Sequence, residues 1–124
     1  MDKIVYFTKR FKEVVKLFPD RIAIKSTNCP QGFTYKKLDL FSSRVYAYLK
    51  AHNIGKEDRV LVILPRGIRV ITAMLGVIKA GACVSLLEEG YSAERIEFIK
   101  KDYAPKLIID NEVLEEAATY EPLD

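Results

Sequence analysis

The sequence predicts an α/β protein. It has three layers, helix on sheet on helix, around a mostly parallel, doubly wound sheet, with an N-terminal helix and a short hairpin. Three observations predict this. Arg59 to Leu64 and Ala82 to Leu86 are short, nearly unbroken apolar runs, the pattern of strands covered on both faces. Helical periodicity lies between them and after them, so strand and helix alternate. Strands joined through helices pair in parallel by right-handed crossovers.

Each element has its own signal. From Ile4 to Phe18 apolar residues recur at three- and four-residue steps (Ile4, Phe7, Phe11, Val14, Val15, Phe18), and Pro19 ends the helix. Arg21 to Lys25 reads as a strand with Ile22 and Ile24 on one side. The turn formers Asn28, Pro30 and Gly32 follow, and Gly32 to Tyr35 resumes the extended chain as a hairpin partner. Thr34 is a good N-cap for a helix over Tyr35 to Ala51, whose stripe is Leu38, Phe41, Val45, Tyr48 and Leu49. Asn53-Ile54-Gly55 stops that helix, with Gly55 suited to positive φ. After the first apolar strand, Pro65-Arg66-Gly67 breaks the run. Ile68 to Lys79 then forms a helix apolar nearly all round, and Ala80-Gly81 ends it. The second buried strand is Ala82 to Leu86, followed by a loop over Glu88 to Tyr91. Ser92 caps a helix to about Tyr103, with Glu94 in its first turn. Pro105 precedes a strand over Lys106 to Ile109, and Asn111 caps a last short helix to about Thr119.

Composition narrows the chemistry. The chain has 124 residues, which suits one domain. A net charge of +3, with no basic run longer than two, argues against a nucleic-acid stripe or a polybasic membrane patch. The most apolar stretch, Val60 to Leu87, is broken by Pro65, Arg66, Arg69, Lys79 and Gly81, and no signal peptide precedes it, so a cytoplasmic protein is expected. With 1 His and 2 Cys, a His-rich or four-cysteine metal site is excluded. Cys29 and Cys83 read as free thiols, with Cys83 buried. His52 sits at a helix end, where it complements the macrodipole rather than serving catalysis.

The common catalytic and phosphate-binding motifs are absent: no Walker loop, no dinucleotide fingerprint and no nucleophile elbow. Two places remain open. Arg66 and Gly67, between a strand's C-terminal end and a helix N-terminus, read either as an anion seat or as an ordinary turn with a solvated arginine. Glu88-Glu89 reads either as a metal or general-base pair or, more simply, as a solvated loop. Tyr35, Tyr46, Tyr48, Tyr91 and Tyr103 are too scattered to form a base-stacking platform.

Five pieces in order carry a resemblance: Phe18 to Ile24, Phe33 to Leu38, Asp58 to Arg66, Val77 to Ala82, and Ala93 to Ile96. Together they resemble the N-terminal part of adenylate-forming enzymes, and most closely the amino-acid adenylation domains of nonribosomal peptide synthetases. Thr34, Tyr35 and Leu38 match that family's first core motif. Lys79, Ala80, Gly81 and Ala82 match its second. The resemblance implies an enzyme that uses ATP and Mg2+ to make an acyl-adenylate. The acyl group then passes to the phosphopantetheine thiol of a carrier protein.

The family's phosphate loop, aromatic-Thr-Glu element and C-terminal lysine lie later in such enzymes and are not in this sequence. The matched residues are scaffold, so no catalytic, cofactor-binding or metal residue carries over. Residues 1–124 are expected to be one N-terminal subdomain of a larger AMP-forming ligase, inactive alone, with the remaining subdomains and a carrier protein as partners. The alternative is a stand-alone adenylation-like module that binds or regulates a partner. The sequence departs from the family at Leu86, Glu89 and Ser92, where the family has proline.

Overall fold

One strand, Arg59–Ile63, lies at the centre of the main sheet, and the fold builds outward from it. The structure, a computed structural model, describes residues 2–26, 29–87 and 90–123, with side chains described for 7–25, 30–87 and 90–123. The element order is α1 (Asp2–Leu17), β1 (Ile22–Ser26), β2 (Cys29–Thr34), α2 (Tyr35–Ala51), β3 (Arg59–Ile63), α3 (Ile68–Lys79), β4 (Cys83–Leu87), α4 (Ala93–Tyr103), β5 (Leu107–Ile109) and α5 (Asn111–Ala117).

β1 and β2 form an antiparallel hairpin, and the other strands form a 3-stranded sheet in the order β4-β3-β5. Both pairings in that sheet are parallel, with Leu61 opposite Ser85 on one side and Ile108 on the other. The chain runs from β3 out to β4, then back across β3 to β5. Right-handed crossovers therefore put α3 and α4 on opposite faces, which is the doubly wound arrangement the sequence predicts. Val60 and Val62 turn toward the helical layer, where they pack in one core with Val45, Leu49, Val77 and Ile109. Arg59, one residue out of phase, faces the other way, and its guanidinium lies 5.7 Å from the Tyr103 ring of α4.

α2 and α3 make the tightest helix pair. Gly76 lies where they cross, and a Cβ there would strike Val45 Cγ1 and crowd the Ser42 carbonyl. Only glycine permits that approach. α2 spans the residues expected of it, and Thr34 Oγ1 accepts from the Lys37 N–H at 3.1 Å. The Ser92 cap is also as expected, with its Oγ accepting from the Arg95 N–H at 3.1 Å. No described helix is long and apolar enough to cross a membrane.

Several expectations are corrected. Cys29 and Pro30 begin β2 instead of forming the turn. After α2 it is Asn53, at φ 61, that takes the left-handed conformation, while Gly55 does not. Asparagine tolerates that region best after glycine. The cap of α5 is Asp110, whose Oδ1 accepts from the Val113 N–H at 3.0 Å. Asn111 instead accepts from Arg69 Nη1 at 2.7 Å. β4 is an edge strand, so Cys83 is exposed, not buried. α1 is only half docked: Phe7, on its apolar stripe, and Phe18, just past its end, are exposed. Asn28, Glu88, Glu89 and the Ile4 and Cys29 side chains lie outside what is described.

Candidate functional site

Two assemblies gather the residues singled out in the sequence. The first joins the two motif pieces. Thr34 opens α2, Tyr35 sets its ring 6.4 Å from Phe11 of α1, and Leu38 is buried. Across the layer, Lys79 ends α3. Its Nζ donates to Asp39 Oδ1 at 2.7 Å, to Ser43 Oγ at 2.8 Å and to the Asp39 carbonyl at 3.2 Å. The Lys79 side chain is only 7% exposed, and the Phe11 ring covers it at 5.4 Å.

A buried ammonium needs partners on its donors, and Asp39 and Ser43, one helical turn apart on α2, supply them. Ala80 then caps α3, Gly81 turns at φ 77, and buried Ala82 leads into β4. The clamp thus locks the α2–α3 pair that carries both motif pieces. Sequence reading did not find Asp39 or Ser43. Their signal was there: a lone lysine at the end of a mostly apolar helix, and two polar residues at i and i+4 on a packing helix.

The second assembly is a groove of about 520 Å³ at the C-terminal ends of β3 and β4. Val62, Leu64, Val70, Ile71 and Leu86 give it apolar walls, and Ile24 and Lys25 of β1 close one side. Arg66, Gly67 and Tyr91 also line it. Parallel sheets place ligands and partners at this end, because the loops there leave the strands together. The structure therefore does put Arg66 and Gly67 at a concave surface. Gly67, at φ 136, is the N-cap of α3 and offers no side-chain acceptor to the helix. Among the described residues, no three His, Cys, Asp or Glu side chains gather in a group able to hold a metal ion.

His52 caps α2 as expected. Its Nδ1 donates to the Tyr48 carbonyl at 2.9 Å, and its ring stacks on Tyr48 at a centroid distance of 4.0 Å. Burial, reinforced by the Glu116 carboxylate, pushes the Tyr48 hydroxyl above its ordinary pKa. Burial likewise raises Tyr103, with Cys83 adding to it. Neither group lines the groove.

The architecture is thus a helix-locked parallel sheet with a groove at the C-terminal ends of its strands. The chain belongs to the family of AMP-binding enzymes, whose model matches residues 11–123. Surfactin synthase subunit 2 of Bacillus subtilis is 34% identical over 111 residues, which is 90% of this chain and 3% of that protein. A dimodular nonribosomal peptide synthase of the same organism is 33% identical over 103 residues, 83% of this chain and 4% of that protein.

Among solved structures, the N-terminal subdomain of Klebsiella oxytoca NpsA in complex with anthranilyl-AMSN superposes with a TM-score of 0.79 at 20% identity. That match covers 92% of this chain and 32% of that one. A four-domain nonribosomal peptide synthetase, holo-AB3403 bound to AMP and glycine, matches with a TM-score of 0.73 at 29% identity, over 81% of this chain and 7% of that one. The chain thus spans a small part of the length of these relatives.

Proposed function

We propose that this chain is the N-terminal scaffold of an ATP-dependent enzyme that activates an amino acid for peptide synthesis. In that reaction a carboxylate oxygen attacks the α-phosphorus of ATP and pyrophosphate leaves. The thiol of a carrier protein's phosphopantetheine then attacks the acyl carbon, and AMP leaves. Mg2+ neutralises phosphate charge in such chemistry, and its ligands, like the catalytic groups, belong to the rest of the enzyme.

This chain's part is mechanical. The Lys79–Asp39–Ser43 clamp fixes α2 against α3. α3 in turn holds the strand ends and the groove at which the remaining subdomains sit. The observation that carries the reading is this clamp: the two motif pieces matched in the sequence are joined by buried hydrogen bonds across a family-wide match over residues 11–123.

The test is a graft. This chain replaces the matching segment of the surfactin synthase subunit 2 adenylation domain, and amino-acid-dependent ATP–pyrophosphate exchange is measured. The graft should exchange with the host's amino-acid preference, and the isolated chain should not exchange at all. Exchange by the isolated chain, or a folded graft with no exchange, overturns the reading.

A further inference from the structure

α1 is fastened at one end. The Tyr35 N–H donates to the Arg21 carbonyl and the Lys36 N–H to the Pro19 carbonyl, each at 2.9 Å, so the residues just after α1 are tied to the start of α2. Along its length α1 is held by side chains. Among the described residues no backbone hydrogen bond joins Asp2–Leu17 to another helix or strand, and no described α1 side chain is buried.

What lies beneath α1 is buried all the same. The Lys79 side chain is 7% exposed although it ends its helix. Asp39 and Ser43 of α2 take its protons, and the Phe11 ring of α1 closes another side, 5.4 Å from Nζ. An aromatic face shields an ammonium from water and attracts its charge at once. The same ring meets Tyr35 at 6.4 Å, so Phe11 touches both the first motif piece and the end of the second. Beside this contact, Lys9, Lys12 and Lys16 of α1 and Asp39 of α2 line a hollow of about 460 Å³. α1 therefore bridges the clamp instead of packing down along it.

We propose that α1 is a strap over the Lys79–Asp39–Ser43 clamp, hinged at Phe18-Pro19 and latched by Phe11, and that lifting it opens Lys79 to solvent while α2 and α3 stay paired. The hinge lies where the helix must end, because Pro19 cannot continue it. The two bonds beyond the hinge keep the hairpin and α2 in place when α1 swings. An element that buries so little opens locally, at the low end of the free energies at which parts of a domain come loose. The α2–α3 pair has its own support in the Gly76 contact with Val45 and in the core around Leu49 and Val77. The strap works through contacts inside this chain and does not rest on the adenylating role.

The test is amine labelling of the 124-residue chain with N-hydroxysuccinimidyl acetate, read by mass spectrometry at Lys79 against Lys106, whose side chain is 50% exposed. In the parent, Lys79 should label far more slowly than Lys106. F11A should speed labelling of Lys79 by about 2- to 30-fold, the factor that loss of a cation–π contact corresponds to, and leave Lys106 unchanged. Hydrogen exchange checks the fold: the amides of α2 and α3 should stay protected in F11A, and in the parent the α1 amides should exchange before them. If F11A unfolds the chain, the order of exchange in the parent decides by itself. A parent in which α1 exchanges together with α2 and α3 as one unit overturns the proposal. So does a folded F11A whose Lys79 labels no faster than the parent's, or a parent whose Lys79 labels as fast as Lys106.

Discussion

The two sides of the sheet differ in how they are held. On the α2–α3 side, Val60, Val62, Leu49 and Val77 are closed to solvent, Gly76 lets the helices touch, and a buried lysine is satisfied by three acceptors. On the other side, α4 has no buried residue, Phe98 is 62% exposed, and β4 keeps an open edge. One face is finished within this chain, and among the described residues the other stays exposed. The family motifs lie on the finished face. There Lys79 of one matched piece ties α3 to α2, the helix that the other matched piece opens.

The largest effect that separates the two sides is a core truncation. L49A empties a fully buried site and should cost about 2–5 kcal/mol, read from urea unfolding midpoints. F98A, at an exposed position on α4, should stay within about 0.5 kcal/mol of the parent. Similar costs for the two would erase the contrast. The clamp comes next. K79A leaves Asp39 half-buried and should cost about 1–3 kcal/mol, less than a fully buried pair because Asp39 keeps contact with water. A double-mutant cycle of K79A with D39A should return a coupling of about 0.5–3 kcal/mol, and strict additivity would mean that the clamp does not hold the helices.

The smallest effect is a pH dependence at the α2–β3 turn. Asp58 Oδ2 accepts from the Gly55 N–H at 2.8 Å and from Lys106 Nζ at 3.3 Å. The Gly55 hydrogen bond first, then Lys106, hold its carboxyl below its ordinary 3.8. A carboxyl lowered in the folded state stabilises above the unfolded value and loses that contribution as pH falls through the folded value. D58A should therefore be less stable than the parent at neutral pH, and the two melting temperatures should converge as pH drops below about 3.8. A constant gap across that range would remove the charge from the explanation.

Much of the finished face was legible in the sequence. Thr34 before an apolar stripe set the start of α2, and the nearly all-apolar Ile68 to Lys79 announced a helix that is buried or packed on two partners. The open face was not. An apolar strand reads the same whether its own chain covers it or something else does, so β4 was expected to be buried and Cys83 with it. Asp110 and Asn111 are both cap formers in adjacent positions, and only the backbone decides between them. Of the groove, Arg66 and Gly67 were read in the sequence, but its walls were not, because β1, β3, β4 and α3 meet there only after the chain folds.

The place of β3 in the sheet also sets an order of assembly. Its pairing with β4 spans one helix, so those strands meet early. On the other side, Val62 waits for Ile109, which follows α4. Parallel pairings at such separations must close a long loop before any bond repays it. During synthesis the central strand of the sheet therefore leaves the ribosome with one flank uncovered until β5 follows. The rate of folding should be governed by the arrival of those three short residues, Leu107 to Ile109, rather than by any helix.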